Sequence, residues 1–279
     1  MQLHRHLADV PAAVVGRPRV VAVGEFDAIH LGHRAVLARL VDRAARDGGE
    51  AVVALRPPAT PSITSLRRRL AVLTALRVDR VVHLGRARIA DEILLARLGA
   101  VCAVTGAEGV SPSGGALEVV APIRVDGARI DSDGIRRALQ AGDLAAVRAR
   151  LGGDQSVDGR VVHGFHRGAP LGVPTANLRI RDVVLPADGV YAVRARVVGR
   201  ALHGVANIGF NPTFGNRVRS VETHLFDFHS DIYGRRLELT FVARLRGEQK
   251  FAGIDALLAQ IRSDIATARA LLGSPAHGG

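Results

Sequence analysis

Runs of consecutive apolar residues alternate with amphipathic stretches over the first half of the chain. Residues 20–23, 51–55, 80–84 and 100–105 are rich in Val, Ala and Leu, the pattern of short strands buried on both faces. Between them, apolar positions recur at helical spacing over 33–46, 65–76 and 90–98. Strands alternating with helices in this way predict a parallel sheet with right-handed crossovers, Rossmann-like in architecture. Two further helices are predicted over 132–140 and 143–151.

After Gly152-Gly153 the period changes. Residues 157–162, 191–198, 202–208, 220–228 and 237–243 are β-rich runs separated by Gly, Pro and Asn, which predicts an antiparallel barrel or sandwich. Ile254, Leu257, Leu258, Ile261 and Ile265 then form one apolar stripe at helical spacing, a single C-terminal helix. The expected fold class is therefore α/β followed by all-β, with domains 1–153 and 154–279.

Composition agrees with this division. A chain of 279 residues favours two domains. No apolar run reaches the ~20 residues of a membrane-spanning helix. His4, Arg5, His6 and Asp9 precede any apolar stretch, which argues against a secretory signal. Cys102 is the single cysteine and excludes an intrachain disulfide. A cytoplasmic globular protein is expected.

Charge narrows the partners. Lys plus Arg is 38 against 26 acids, a net +12, and Lys250 is the only lysine. Such an excess suits anionic ligands, although a GC-rich genome would select arginine codons in any case. With no dense basic run and no interleaved aromatic stripe, a small anionic substrate is favoured over nucleic acid.

The densest motif is Gly159-Arg-Val-Val-His-Gly164-Phe-His-Arg-Gly168-Ala-Pro-Leu-Gly172-Val-Pro174-Thr175-Ala176-Asn177-Leu178. Loop glycines, Gly164, Gly168 and Gly172 among them, let backbone N–H groups converge on a phosphate. Thr175 and Asn177 are two apart and project from one face of an extended strand. Their oxygens are hard donors suited to Mg²⁺ that bridges phosphates and keeps most of its waters. In 221–228, Glu222, His224, Phe226 and Phe228 are expected on one strand face and Val221, Thr223 and Leu225 on the other. If the latter face the core, Glu222 looks into a cleft, where a carboxylate can take the proton of an attacking hydroxyl.

These segments resemble the riboflavin kinase module of the bacterial bifunctional riboflavin kinase/FAD synthetases. The likeness continues through Leu185-Pro-Ala-Asp-Gly-Val-Tyr191, Val205-Ala-Asn-Ile-Gly209, Asn211-Pro-Thr-Phe-Gly215, Val221-Glu-Thr-His-Leu225, Asp231-Ile-Tyr-Gly234 and Glu248-Gln-Lys-Phe251. The resemblance implies an antiparallel β-barrel with a C-terminal helix. It also implies ATP and a flavin as substrates, Mg²⁺–nucleotide held by Thr175 and Asn177, and Glu222 as base for the ribityl 5′-hydroxyl.

The first half resembles the same family's nucleotidyltransferase module. His30-Leu31-Gly32-His33 follows a strand and opens a helix, in outline an H-x-G-H motif, where two imidazoles at a helix N-terminus suit a phosphate. Ser132 and Arg136 complete the nucleotidyltransferase-type site that the resemblance implies. Four departures accompany them. Ala28 replaces a glycine, Leu55-Arg56-Pro57-Pro58 lacks the family's aromatic and His, and 106–112 lacks an aromatic. Asp131 and Asp133 flank Ser132, adding like charge beside the phosphates.

The function expected is riboflavin kinase, giving FMN from riboflavin and ATP. The alternatives are a fully bifunctional enzyme that also makes FAD, a nucleotidyltransferase of altered NTP or flavin specificity, and a non-catalytic flavin- or nucleic-acid-binding regulator.

Overall fold

The computed structural model describes residues 1–85, 87–106, 111–163, 173–211 and 218–273. Gly164, Gly168 and Gly172, residues 107–110 of the loop after the 100–105 strand, and Pro212-Thr-Phe-Gly215 lie outside the described residues.

One compact unit comprises Met1–Gly134 with Arg150–Gly152. Its strands are β1 (Gln2–His4), β2 (Arg19–Gly24), β3 (Glu50–Leu55), β4 (Arg80–His83), β5 (Ala100–Thr105) and β6 (Ala116–Val119). They form one parallel sheet in the order β1-β4-β3-β2-β5-β6. Helices α1 (Leu31–Arg46) and α2 (Leu66–Ala75) bury Leu37, Leu40 and Leu73 against one face, and α3 (Asp91–Leu98) buries Leu94, Leu95 and Leu98 against the other. Such two-sided cover explains the unbroken apolar runs. The chain moves outward from β2 through β3 to β4 and then returns to place β5 on the other side of β2. The carboxyl ends of β2 and β5 are therefore the topological switch point, where open α/β sheets bind ligands. A hairpin of β7 (Arg124–Val125) and β8 (Ala128–Arg129) follows; neither it, β1 nor β6 has a sequence pattern long enough to predict.

Arg19, Glu50 and Arg80 open their three neighbouring strands and are buried. Glu50 accepts from Arg19 Nε at 2.9 Å and from Arg80 Nη2 at 2.7 Å, so the carboxylate is shared by two guanidiniums.

The second unit comprises Ile135–Ala149 with Gly153–Gly279, so most of helices α4 (Ser132–Ala141) and α5 (Leu144–Leu151) groups with it. Its strands are β9 (Ser156–Val162), β10 (Ala176–Arg179), β11 (Gly189–Val197), β12 (Arg200–Asn211), β13 (Val218–Leu225) and β14 (Arg236–Arg246). They close into an antiparallel barrel in the order β10-β13-β12-β11-β14-β9, which settles the barrel-or-sandwich choice. Tyr191, Val193, Ala206, Ile208, Val221, Leu225, Leu239 and Phe241 fill the interior. Helix α6 (Ile254–Leu272) lies on the outer face of β11 and β12, where Ala268 and Leu272 pack on Val190, Ala192, Val205 and Phe226. The predicted stripe is only partly covered: Ile265 packs there, but Ile254 is exposed.

One expectation about the barrel is corrected. Phe228 does not share the face of Glu222, because β13 ends at Leu225 and the chain turns at Asp227, whose φ is +53°. Phe228 instead packs against the interior cluster, with the Arg200 guanidinium 5.3 Å from its ring.

Candidate active site

In the barrel, alternation along the strands decides what faces outward. Val221 and Thr223 are buried inside, so Glu222 between them emerges on the outer face, half-buried. Its cross-strand partner on β10 is Asn177 and on β12 is Asn207, which in turn pairs with Val190 of β11. Residues paired in this way share one face, so Asn177, Glu222, Asn207 and Val190 form a row across four strands. Thr175 precedes β10 and is held by its neighbour: the His224 ring donates to the Pro174 carbonyl at 2.9 Å.

The row borders a cleft of about 640 Å³ between the outer face of the barrel and α6. Val190, Val205, Asn207 and Glu222 line it from the barrel, Leu257 and Ile261 from α6, and Glu248, Gln249, Lys250 and Phe251 from the segment between β14 and α6. That segment is anchored at two points. Arg246 Nε lies 3.1 and 3.0 Å from the two carboxylate oxygens of buried Asp264, and its guanidinium sits 5.6 Å from the Phe251 ring centroid. The Glu248 side chain reaches over Gly209, where an added Cβ would meet its Oε1 at 2.1 Å and oblige that side chain to shift.

A second cavity of about 230 Å³ opens at one end of the barrel, lined by Val161, Thr175, Ala176, Thr223, Leu225 and Tyr233. The Thr223 hydroxyl is fully buried with no hydrogen-bond partner among the described residues. Thr175 lines both spaces.

In the sheet unit, Gly24-Glu25-Phe26-Asp27-Ala28-Ile29 leads from β2 into α1 in a strained conformation, with φ of +44° at Phe26 and +46° at Ile29. The loop is pinned by Thr64, whose N–H and hydroxyl both donate to the Asp27 carbonyl, and by Arg69, which donates to the Glu25 carbonyl. His30 is the N-cap of α1: its Nδ1 accepts from the His33 N–H at 3.1 Å, which leaves its proton on Nε2. The His30 and His33 rings stack with centroids 3.7 Å apart. A Cβ on Gly32 would lie 3.0 Å from the His30 ring, so glycine permits this arrangement. Burial lowers the pKa of both rings, and the adjacent His30 adds to the effect on His33, which falls to about 3. For His30 the charges of Asp27 and Asp131 oppose the shift.

His30, His33 and Ser132 line a common cavity of about 290 Å³ at the switch point, with Val23 and Gly24 of β2 and Val104 and Thr105 of β5. Ser132 Oγ donates to Asp27 Oδ1 at 2.5 Å, and Asp131 accepts the Gly134 N–H at 2.6 Å and so caps α4. Arg136 lies one turn further along α4, half-buried, and does not line this cavity; Arg129 does.

Comparison with known proteins bears on both sites. The riboflavin kinase family model matches residues 151–272 and the FAD synthetase model residues 14–86. A bifunctional riboflavin kinase/FMN adenylyltransferase from Pseudomonas fluorescens is 35% identical over 92% of this chain and 94% of its own length. The protein of the same description from Escherichia coli strain K12 is 32% identical over 91% of this chain and 93% of its own. This chain belongs to that family. The crystal structure of a protein described as a macrolide-efflux protein from Streptococcus pneumoniae has the same fold, with a TM-score of 0.83 and 26% identity over 96% of this chain and 98% of that one. No helix among the described residues is long and apolar enough to cross a membrane.

Within the family's two-module plan, the row Asn177–Glu222–Asn207 and both barrel cavities fall in the riboflavin kinase match. His30 and His33 fall in the FAD synthetase match, and Ser132 lies beyond it. Sequence reasoning missed Asn207, Arg246 and Asp264 as neighbours of Glu222. The first is adjacent only through strand register, and the others only through the packing of α6.

Proposed function

We propose that this protein is a riboflavin kinase that transfers the γ-phosphoryl group of ATP to the riboflavin 5′-hydroxyl. The observation that carries this reading is the position of Glu222, in a cross-strand row with Asn177 and on the border of the larger cleft, with Thr175 shared by both spaces. The larger, mostly apolar cleft has room for the flavin, and the smaller cavity receives the nucleotide. Glu222 then faces the ribityl chain. It accepts the hydroxyl proton as that oxygen bonds to the γ-phosphorus, and the bond to the β-phosphate oxygen breaks to release ADP. The rate gain comes mainly from positioning.

Thr175 and Asn177 offer a hydroxyl and an amide carbonyl beside a carboxylate, a hard-oxygen set that fits Mg²⁺ carried in by the nucleotide. Bound there, Mg²⁺ would neutralise phosphate charge. Gly164, Gly168 and Gly172 belong to the loop assigned to the phosphates.

A second reading adds FMN adenylyl transfer, favoured by His30, His33 and Ser132 around one cavity at the switch point. In this scheme 1–153 and 154–279 are separate catalytic modules. Arg136 belongs to this site by the family resemblance. Both reactions belong in the cytoplasm, where ATP is supplied. The decisive experiment incubates the purified protein with riboflavin, Mg²⁺ and each NTP in turn and separates the flavins by chromatography. FMN with ATP is expected; no flavin phosphate with any NTP would overturn the kinase reading.

A further inference from the structure

Among the described residues three arginines are buried: Arg19, Arg69 and Arg80. A buried charge is costly unless it is paired, and Arg19 and Arg80 share the Glu50 carboxylate. Arg69, in the first turn of α2, is used differently. Its Nη1 donates at 2.9 Å to a main-chain carbonyl, that of Glu25, and its Nε is buried with no hydrogen-bond partner among the described residues. Burial lowers its pKa, and the charges of Asp27 and Glu25 oppose that shift.

The segment that Arg69 holds gives the charge its purpose. Between β2 and α1, Phe26 and Ile29 both adopt positive φ, which bulky side chains keep only where their surroundings impose it. The carbonyls on either side of Phe26 are clamped from the start of α2. Arg69 takes that of Glu25, and Thr64 takes that of Asp27 with its N–H at 3.0 Å and its hydroxyl at 3.1 Å. In this turn the Phe26 ring folds back over Gly24 and lies against His33, with ring centroids 5.1 Å apart. The Asp27 carboxylate meets Ser132 Oγ, and the His30 ring caps α1. We propose that Arg69 is a positioning residue of the switch-point site, acting through the clamped turn to keep Phe26 as a wall against His33 and Asp27 on Ser132. Arg69 itself stands outside the cavity lining.

This inference rests on the adenylyl-transfer reading of that site, and its test separates the two. The histidine rings of the full-length wild type, Arg69→Met, Arg69→Lys and Thr64→Val are titrated by NMR, with the His33 signal assigned by its loss in His33→Gln. FAD formation from FMN and ATP is measured for each. His30 is stacked on His33, and Asp131 and Arg129 are charged groups lining the same cavity; all three are unchanged in these variants. In the wild type His33, with a pKa of about 3, stays neutral from pH 8 down to pH 5. In Arg69→Met the turn relaxes, Phe26 leaves the ring, and His33 is expected to titrate toward its ordinary value of about 6.5. The FAD rate should fall by about 10²-fold, the scale of a small misplacement in a site. One carbonyl needs one donor, so Arg69→Lys is expected to restore both readouts. Thr64→Val keeps its N–H bond to Asp27 and should show the same His33 change in smaller measure, which decides the matter if Arg69→Met does not fold. A His33 signal unmoved in Arg69→Met and Thr64→Val, or moved as far in Arg69→Lys as in Arg69→Met, would overturn the role of Arg69. Absence of FAD from the wild type would instead overturn the adenylyl-transfer reading, and the His33 titrations would still decide on Arg69.

Discussion

Asn177 and Glu222 are cross-strand partners on the outer face of the barrel, with Asn207 on the far side of Glu222. The proposed metal-side amide and the proposed base are thus fixed to each other by strand register alone. Glu222→Gln keeps the shape and removes the proton acceptor. FMN formation should fall by about 10²- to 10⁴-fold, the usual range for a positioned acid–base group, while nucleotide binding survives. Turnover near the wild-type value in a riboflavin kinase assay would remove Glu222 from the mechanism.

Thr175 touches both cavities, and Asn177 follows two residues on, in β10. Thr175→Ala and Asn177→Ala should raise the Mg²⁺ or nucleotide concentration needed for half-maximal rate and depress turnover. Circular dichroism should show the fold unchanged. Identical Mg²⁺ titrations for both variants and the wild type would mean the Pro-Thr-Ala-Asn segment is only a turn.

Glu50 is held between two buried arginines at the amino ends of β2, β3 and β4. Burial by itself would raise its pKa. The hydrogen bonds from Arg80 and Arg19 outweigh that and leave it below the ordinary carboxylate value. Its stabilising effect is therefore fully present above the unfolded-state pKa of about 4.3 and is lost as pH falls through the lower folded-state value. Glu50→Gln leaves two buried guanidiniums without their counter-ion and should destabilise by about 3–5 kcal/mol at pH 7. The gap from wild type should narrow as melts are repeated toward pH 3. A loss under about 1 kcal/mol at neutral pH, within the range of an ordinary surface change, would refute this account.

Asp131, at the N-cap of α4, lines the switch-point cavity, and buried Asp27 lies behind it bonded to Ser132, beside imidazoles that are neutral at physiological pH. A triphosphate would meet like charge there. We expect the full-length protein to convert FMN to FAD far more slowly than it makes FMN. Asp131→Ser with Asp133→Thr should raise the FAD rate, and serine at 131 preserves a capping oxygen for α4. With a pKa of about 3, His33 should contribute no limb to the FAD rate between pH 5 and 8. Rapid FAD synthesis by the unaltered protein, abolished by His33→Ala, would establish the bifunctional reading instead.

Much of the site was legible before the fold. Thr175 and Asn177 two apart, and Glu222 between Val221 and Thr223, follow from strand alternation, which is local. The same alternation failed at Phe228, because it presumes a continuous strand and the turn at Asp227 breaks it. Arg136 was grouped with Ser132 through the family's phosphate segment, a likeness of motif; the lining of the cavity by Ser132 and Arg129 comes from the fold.

The sequence by itself determined the periods: two-sided burial in the parallel sheet, one-sided burial in the barrel strands, and the change between them after Gly152-Gly153. It also determined the chemistry available, since residue types and short spacings are local facts. Only the tertiary structure decided that Asn177, Glu222 and Asn207 share a row, that Glu248 reaches over Gly209, and that one carboxylate joins Arg19 to Arg80. Each joins residues about 30 or more positions apart or in separate elements. Such contacts depend on strand register and helix packing, which many compatible local patterns leave open until the whole chain closes on its cores.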